Sequence, residues 1–87
     1  MVGDEGPGGN VADSATLYAM WRRAMHDVRG PLAVVLGQAE LLLEEVYGPL
    51  TDKQRYALLK IQSNGDKMNE RMTSESARLR EVLGLED

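Results

Sequence analysis

The sequence contains no cysteine and only one histidine among its 87 residues. The absence of cysteine excludes disulfides and thiolate metal sites, and a single histidine argues against a zinc site. A chain this short buries little apolar surface by itself, so chains without disulfides or metal commonly reach stability by forming oligomers. We therefore expect an oligomer. The lack of cysteine also fits a cytoplasmic location.

An excess of basic charge and a long apolar run are also missing. The net charge of −4 argues against nucleic-acid binding, which needs a basic face. No apolar run approaches the roughly 18 residues that cross a bilayer, so we expect no membrane contact by this segment. The opening MVGDEGPGGN has neither the basic nor the apolar region of a signal peptide. Residues 1–12 are typical of a flexible linker or an expression-derived remnant.

Apolar residues at alternating spacings of three and four predict a first helix over about 14–47. Asp13 or Ser14 can cap its start, Gly48 suits its C-terminal cap, and Pro49 blocks its continuation. The apolar seam consists of Tyr18, Trp21, Met25, Val28, Leu32, Val35, Ala39, Leu42 and Val46. Flanking apolar residues widen this stripe, which suits a helical bundle better than a two-stranded coiled coil.

A second helix is predicted over about 52–83. Thr51 and Gln54 have the spacing of a capping box, in which each residue bonds the backbone N–H of the other. The seam of this helix reads Leu58, Ile61, Gly65, Met68, Met72, Glu75, Leu79 and Val82. Gly65 and Glu75 interrupt the apolar pattern, but its phase continues, so we expect one continuous helix.

These two helices predict an all-α domain over residues 13–87, built as an antiparallel helical hairpin. One hairpin leaves part of each apolar stripe in water. Two hairpins can bury both stripes around one axis, so we expect a homodimeric four-helix bundle. The alternative is a hairpin that pairs with a different protein.

His26 lies next to the dipeptide Gly30-Pro31, which is unfavourable inside a helix. Because His26 directly follows the seam residue Met25, it lies about 100° around the helix, on or near the solvated face. The proline leaves the carbonyl of residue 27 without its helical partner and costs about 3 kcal/mol. We interpret Gly30 and Pro31 as a bendable point that gives a partner access to the imidazole. An ordinary surface histidine beside a plain proline kink is the competing interpretation.

The segment HDVRGPL, residues 26–32, resembles the H-box of sensor histidine kinases, with His26, Asp27, Pro31 and Leu32 matching. The following LAVVLGQAELLLEE is similar to the rest of that family's first helix, and GPLTDKQRYALLKIQSNGDKMNERM to its turn and second helix. The resemblance covers roughly residues 14–83. It implies the dimerisation and histidine phosphotransfer domain of these kinases, a homodimeric four-helix bundle.

The resemblance also implies a chemistry and partners. His26 would be the phosphoacceptor, taking the γ-phosphoryl group of ATP and passing it to an aspartate of a response-regulator receiver domain. Asp27 would act as a base or orient the ring. ATP and Mg would be bound by a separate ATP-binding catalytic domain, so this segment itself would hold no cofactor. The parent protein would be membrane-anchored or soluble. Arg22, Arg23 and Arg29 flank His26 and can contact phosphate or an acidic partner, or can simply be solvated.

Two departures from the family pattern limit what is carried over. Many members have Thr or Asn four residues after the histidine, where they position a water for dephosphorylation of the regulator. Gly30 has no side chain for that role, so phosphatase activity is not carried over. The sequence also has no Gly-rich nucleotide loop. We therefore expect part of a larger kinase, inactive alone, or else a stand-alone phosphotransfer protein.

Two rival functions remain open at this point. The first is a structural or signal-relay dimerisation module that transfers no phosphoryl group. The second is a binding module that docks a partner helix in a groove at Met68 and Met72.

Overall fold

The computed structural model describes residues 13–85 as two long helices packed against each other. Helix α1 spans Ser14–Leu43 and helix α2 spans Asp52–Val82. Within residues 13–85 there is no strand, so the predicted all-helical hairpin is confirmed. None of the described helices is apolar enough over a sufficient length to cross a membrane. The segment predicted to be a linker, residues 1–12, lies outside the described residues.

Both helices begin at the predicted caps. The Asp13 carboxylate accepts a 2.8 Å hydrogen bond from the backbone N–H of Thr16, and this bond lowers the pKa of the Asp13 carboxyl below its ordinary value. At α2 the predicted capping box is present. The Gln54 N–H donates to the Thr51 hydroxyl at 3.1 Å, and the Thr51 N–H donates to the Gln54 side chain at 2.9 Å.

Helix α1 ends at Leu43, about four residues earlier than predicted, because a left-handed residue closes it. Glu45 has φ 60°. Its N–H donates to the Leu42 carbonyl at 3.0 Å, and the Val46 N–H donates to the Leu41 carbonyl at 3.2 Å. This pair of bonds is a Schellman motif, which normally has glycine at the left-handed position. Gly48 was therefore wrongly predicted as the cap.

Arg55 explains how a glutamate occupies that position. Its guanidinium forms an ion pair with the Glu45 carboxylate and also donates to the Leu43 carbonyl at 3.2 Å. Both contacts join the first turn of α2 to the end of α1. They offset the roughly 1–2 kcal/mol that a left-handed conformation costs a residue with a Cβ. Gly48 has φ 126° and serves the turn that follows.

The helices bury one side of each apolar stripe and leave the other side exposed. The buried or half-buried positions of α1 include Tyr18, Trp21, Met25, Leu32, Leu36, Ala39 and Leu43, and those of α2 include Leu58, Gln62, Gly65, Asn69, Met72, Ser76 and Leu79. Several predicted seam residues are instead exposed, namely Val28, Val35, Val46, Ile61, Met68 and Val82. At several of these positions the residue that packs against the other helix is therefore a sequence neighbour of the predicted seam residue, such as Leu36 beside Val35 and Gln62 beside Ile61.

The helices pack tightly together at Gly65, the only buried residue of α2. A Cβ on Gly65 would lie 2.9 Å from Cγ of Leu36. Gly65 is thus a contact point rather than an interruption of the seam. Helix α2 continues through it, as predicted.

Candidate functional site

His26 projects from the middle of α1 with its side chain 90% exposed. This placement agrees with its sequence position directly after Met25, which is half-buried between the helices. Gly30 and Pro31 follow one turn later and are exposed. Helix α1 runs through Pro31 without a break, and a Cβ on Gly30 would meet nothing within 4 Å. The imidazole and the surface beyond it are therefore open to a large partner.

The Asp27 carboxylate lies beside the imidazole although consecutive helix residues normally point apart. Its Oδ1 is 3.7 Å from Nδ1 of His26, and its side chain is 72% exposed. The distance is longer than a hydrogen bond, so the interaction is electrostatic or is bridged by water. The Asp27 carboxylate thus lies on the Nδ1 side of the ring.

A groove of about 700 Å³ runs beside His26 between the two helices. We call it the basic groove. Its lining residues are Tyr18, Arg22, Met25, His26, Arg29, Thr73, Ser76, Ala77 and Arg80. Three of these are arginines and none is an aspartate or glutamate. Of the three arginines singled out in the sequence, Arg22 and Arg29 line this groove, whereas Arg23 is exposed elsewhere.

Hydrogen bonds between the helices hold the walls of the basic groove in place. Arg29 Nη2 donates to Thr73 Oγ1 at 3.2 Å. Trp21 Nε1 donates to Ser76 Oγ at 2.8 Å, and that hydroxyl donates to the Met72 carbonyl at 2.7 Å. These contacts fix the register of α2 opposite His26.

Sequence reasoning missed the residues that α2 contributes to this site: Thr73, Ser76, Ala77 and Arg80. The antiparallel register that the structure supplies explains why they lie there. Leu36 lies opposite Gly65, and each step back along α1 corresponds to a step forward along α2. Counting from that pair places His26 opposite the mid-seventies of α2, a stretch that contains Thr73 and Ser76.

The opposite flank of the hairpin is apolar. Val28 follows His26 by two residues and lies about 200° around the helix from it. The exposed residues Val28, Val35, Ile61 and Met68, which we call the apolar face, lie on this flank at heptad spacing within each helix. A second groove of about 580 Å³ opens there. Its apolar lining residues are Trp21, Met25, Val28, Met68 and Met72, and its polar lining residues are Asn64, Lys67, Arg71 and Glu75. The imidazole and the apolar face therefore point away from each other.

These features define a helical hairpin that presents one exposed imidazole beside a proline and carries exposed apolar side chains on another flank. The family model of the His Kinase A (phospho-acceptor) domain matches residues 17–82, and the chain belongs to this family. It is therefore a phospho-acceptor domain of the histidine kinases of two-component signal transduction. No curated protein and no solved structure matches the chain.

Proposed function

We propose that His26 is the residue that accepts the phosphoryl group, with Asp27 as its base or orienting carboxylate. The observation that carries this proposal is the exposed ring of His26 with the Asp27 carboxylate 3.7 Å from Nδ1. His26 is also the only histidine of the chain. Imidazole nitrogen is both a good nucleophile and a good leaving group, as a transfer intermediate requires.

In the first step the Nε2 lone pair attacks the γ-phosphorus of ATP held by a separate catalytic domain. The Nε2–P bond forms, the bond from phosphorus to the β,γ-bridging oxygen breaks, and ADP leaves with that electron pair. The Nδ1 proton passes to the Asp27 carboxylate or to solvent. The contribution of this chain is position and charge, because phosphoryl transfer depends mainly on alignment and electrostatic stabilisation.

In the second step a carboxylate oxygen of a response-regulator aspartate attacks the phosphorus. The P–N bond breaks, its electron pair returns to Nε2, and Nδ1 regains a proton. The product is an acyl phosphate on the regulator. The exposed surface around Gly30 and Pro31 gives a receiver domain room to approach the phosphorylated ring.

We also propose that two copies of the hairpin join through the apolar face into a four-helix bundle. Four large apolar side chains of this face are 41–50% exposed in the single chain. Burying such side chains is favourable by about 25 cal/mol for each Å² removed from water. Packing through this flank leaves His26 on the outside of the bundle.

The experiment combines the chain with its cognate ATP-binding domain and γ-labelled ATP. We expect an acid-labile, base-stable label on the chain. His26→Gln should abolish the label, while circular dichroism and light scattering show an unchanged helical dimer. Arg23→Gln, which changes an exposed residue outside the basic groove, should keep the label.

A label that survives in His26→Gln would overturn the site assignment. A dimer that takes no label at all would favour the structural or signal-relay module. NMR titration with a receiver domain separates the remaining rival, because shifts confined to Met68 and Met72 would favour a groove that docks a partner helix. Shifts around His26 and Thr73 support the phosphoacceptor.

A further inference from the structure

Two hydrogen bonds join side chains of α1 to side chains of α2, one on each side of His26. Before it in the sequence, Trp21 Nε1 donates to the Ser76 hydroxyl at 2.8 Å. After it, Arg29 Nη2 donates to the Thr73 hydroxyl at 3.2 Å. The two acceptors are three residues apart and so lie on the same side of α2. We call the four bonded residues the polar latch.

The packing of α1 against α2 is tighter after Pro31 than before it. The two buried residues of α1, Leu32 and Ala39, both follow the proline. In residues 14–29 the apolar side chains that face α2 are half-buried, namely Tyr18, Trp21 and Met25. Because the gain from apolar contact grows with the area buried, the polar latch supplies a larger share of what holds the first part of α1 in place.

The two parts of α1 join where the helix lacks a hydrogen bond. Pro31 has no N–H, so the carbonyl of Asp27 loses its helical donor. Gly30 beside it lowers the helix propensity further, and a Cβ there would contact nothing within 4 Å. Helices bend most readily at such points.

We propose that the polar latch holds residues 14–29 against α2, and that this segment swings about Gly30 and Pro31 when the latch opens. The movement carries His26 away from α2 and leaves residues 32–43 packed. It changes how the ring is presented to a partner. This inference goes beyond the phosphoacceptor assignment, because it holds whether or not the ring carries a phosphoryl group.

Distances between spin labels on the two helices measure this movement directly. The sequence has no cysteine, so cysteines introduced in pairs take the labels without competition. The first pair, Arg23→Cys with Arg78→Cys, spans the part of α1 before the hinge. The second pair, Gln38→Cys with Ser63→Cys, spans the part after it, and all four positions are exposed. An excess of unlabelled chain ensures that each measured distance lies within one chain.

Ser76→Ala removes the acceptor of the Trp21 bond. Because the loss of one hydrogen bond typically shifts an equilibrium about 2- to 10-fold, the population with a lengthened first-pair distance should rise by that factor. The second-pair distance should not change. Trp21→Phe removes the donor and should act like Ser76→Ala, and the double substitution should add nothing further.

Ser74→Ala is the matched control. The Ser74 hydroxyl bonds the carbonyl four residues earlier, as the Ser76 hydroxyl also does, but it is exposed and makes no bond to α1. This substitution should leave both distances unchanged. Pro31→Ala restores the missing helical donor, so in the Ser76→Ala background it should reduce the lengthened population.

The latch is overturned if the first-pair distance ignores Ser76→Ala, if both pairs lengthen equally, or if Ser74→Ala has the same effect. The hinge is overturned if Pro31→Ala leaves the lengthened population as it was. Should circular dichroism show that Ser76→Ala has lost helix, Thr73→Val, which removes the other acceptor, decides instead. Kinase labelling of His26 is a separate measurement, so the phosphoacceptor assignment and the latch can fail independently.

Discussion

Leu36 of α1 lies directly over Gly65 of α2, so closely that a Cβ on Gly65 would lie 2.9 Å from Cγ and 3.2 Å from Cδ1 of Leu36. The two backbones approach each other here because one partner has no side chain. This contact leaves no room for a Cβ between the helices at this level. It agrees with the register that the Arg29–Thr73 and Trp21–Ser76 hydrogen bonds set opposite His26.

We expect Gly65→Ala to destabilise the protein by about 1–3 kcal/mol, the cost of overpacking a tight contact. The loss persists although alanine favours a helix by up to about 1 kcal/mol over glycine. Gly37→Ala is the matched control, because a Cβ there meets nothing within 4 Å, and it should be neutral or stabilising. Urea unfolding at a fixed protomer concentration measures both changes. Leu36→Ala should relieve part of the Gly65→Ala loss, and equal effects of the two glycine substitutions would contradict this packing.

The end of α1 gives a second prediction, because Glu45 is left-handed yet paired with Arg55. Glu45→Ala keeps the backbone strain and loses the ion pair, so it should cost about 0.2–1 kcal/mol, the range of exposed pairs. Glu45→Gly loses the pair but also removes the strain, and should be nearly neutral. In an Arg55→Ala background, Glu45→Gly should be clearly stabilising. Equal stabilities of the alanine and glycine variants would show that the turn has relaxed to another conformation.

Local sequence signals predicted the helix starts better than the helix packing. The caps at Asp13 and Thr51 depend on residues within three positions of each other, so a short motif suffices. The end of α1 was predicted too late because Glu45 is held in a left-handed conformation by Arg55, ten residues away. The short motif HDVRGPL was sufficient to single out His26 and Gly30. Arg80 could not be singled out in this way, because its place in the groove follows from the register of the two helices, which depends on contacts between residues far apart in the sequence.

The cap at Asp13 makes helix stability depend on pH in a defined direction. The hydrogen bond from the Thr16 N–H lowers the pKa of this carboxyl. A lowered pKa means that the stabilisation is fully present above the unfolded-state pKa of about 3.9 and is lost as pH falls through the folded value below it. Asparagine caps helices about as well and does not titrate. Circular dichroism should therefore show that the helicity of the unsubstituted chain falls below that of Asp13→Asn only below about pH 4. Curves of helicity against pH that stay parallel for the two proteins would contradict this prediction.

The neighbouring residues Val34 and Val35 allow a sharp test of the proposed dimer. Both are exposed in the single chain, at 63% and 50%, but one residue turns the helix by about 100°. Val35 lies on the apolar face with Val28, whereas Val34 points away from both that face and α2. Val35→Glu would bury a charge between two hairpins and should weaken the dimer at least about 10-fold, a cost of about 1.4 kcal/mol. Val34→Glu adds the same charge and should leave the dimer intact in sedimentation or light-scattering measurements.

Dissociation of the dimer by Val34→Glu, or a dimer that is unaffected by Val35→Glu, would place the interface on another flank. That result would also remove the reason for His26 to face outward from the bundle.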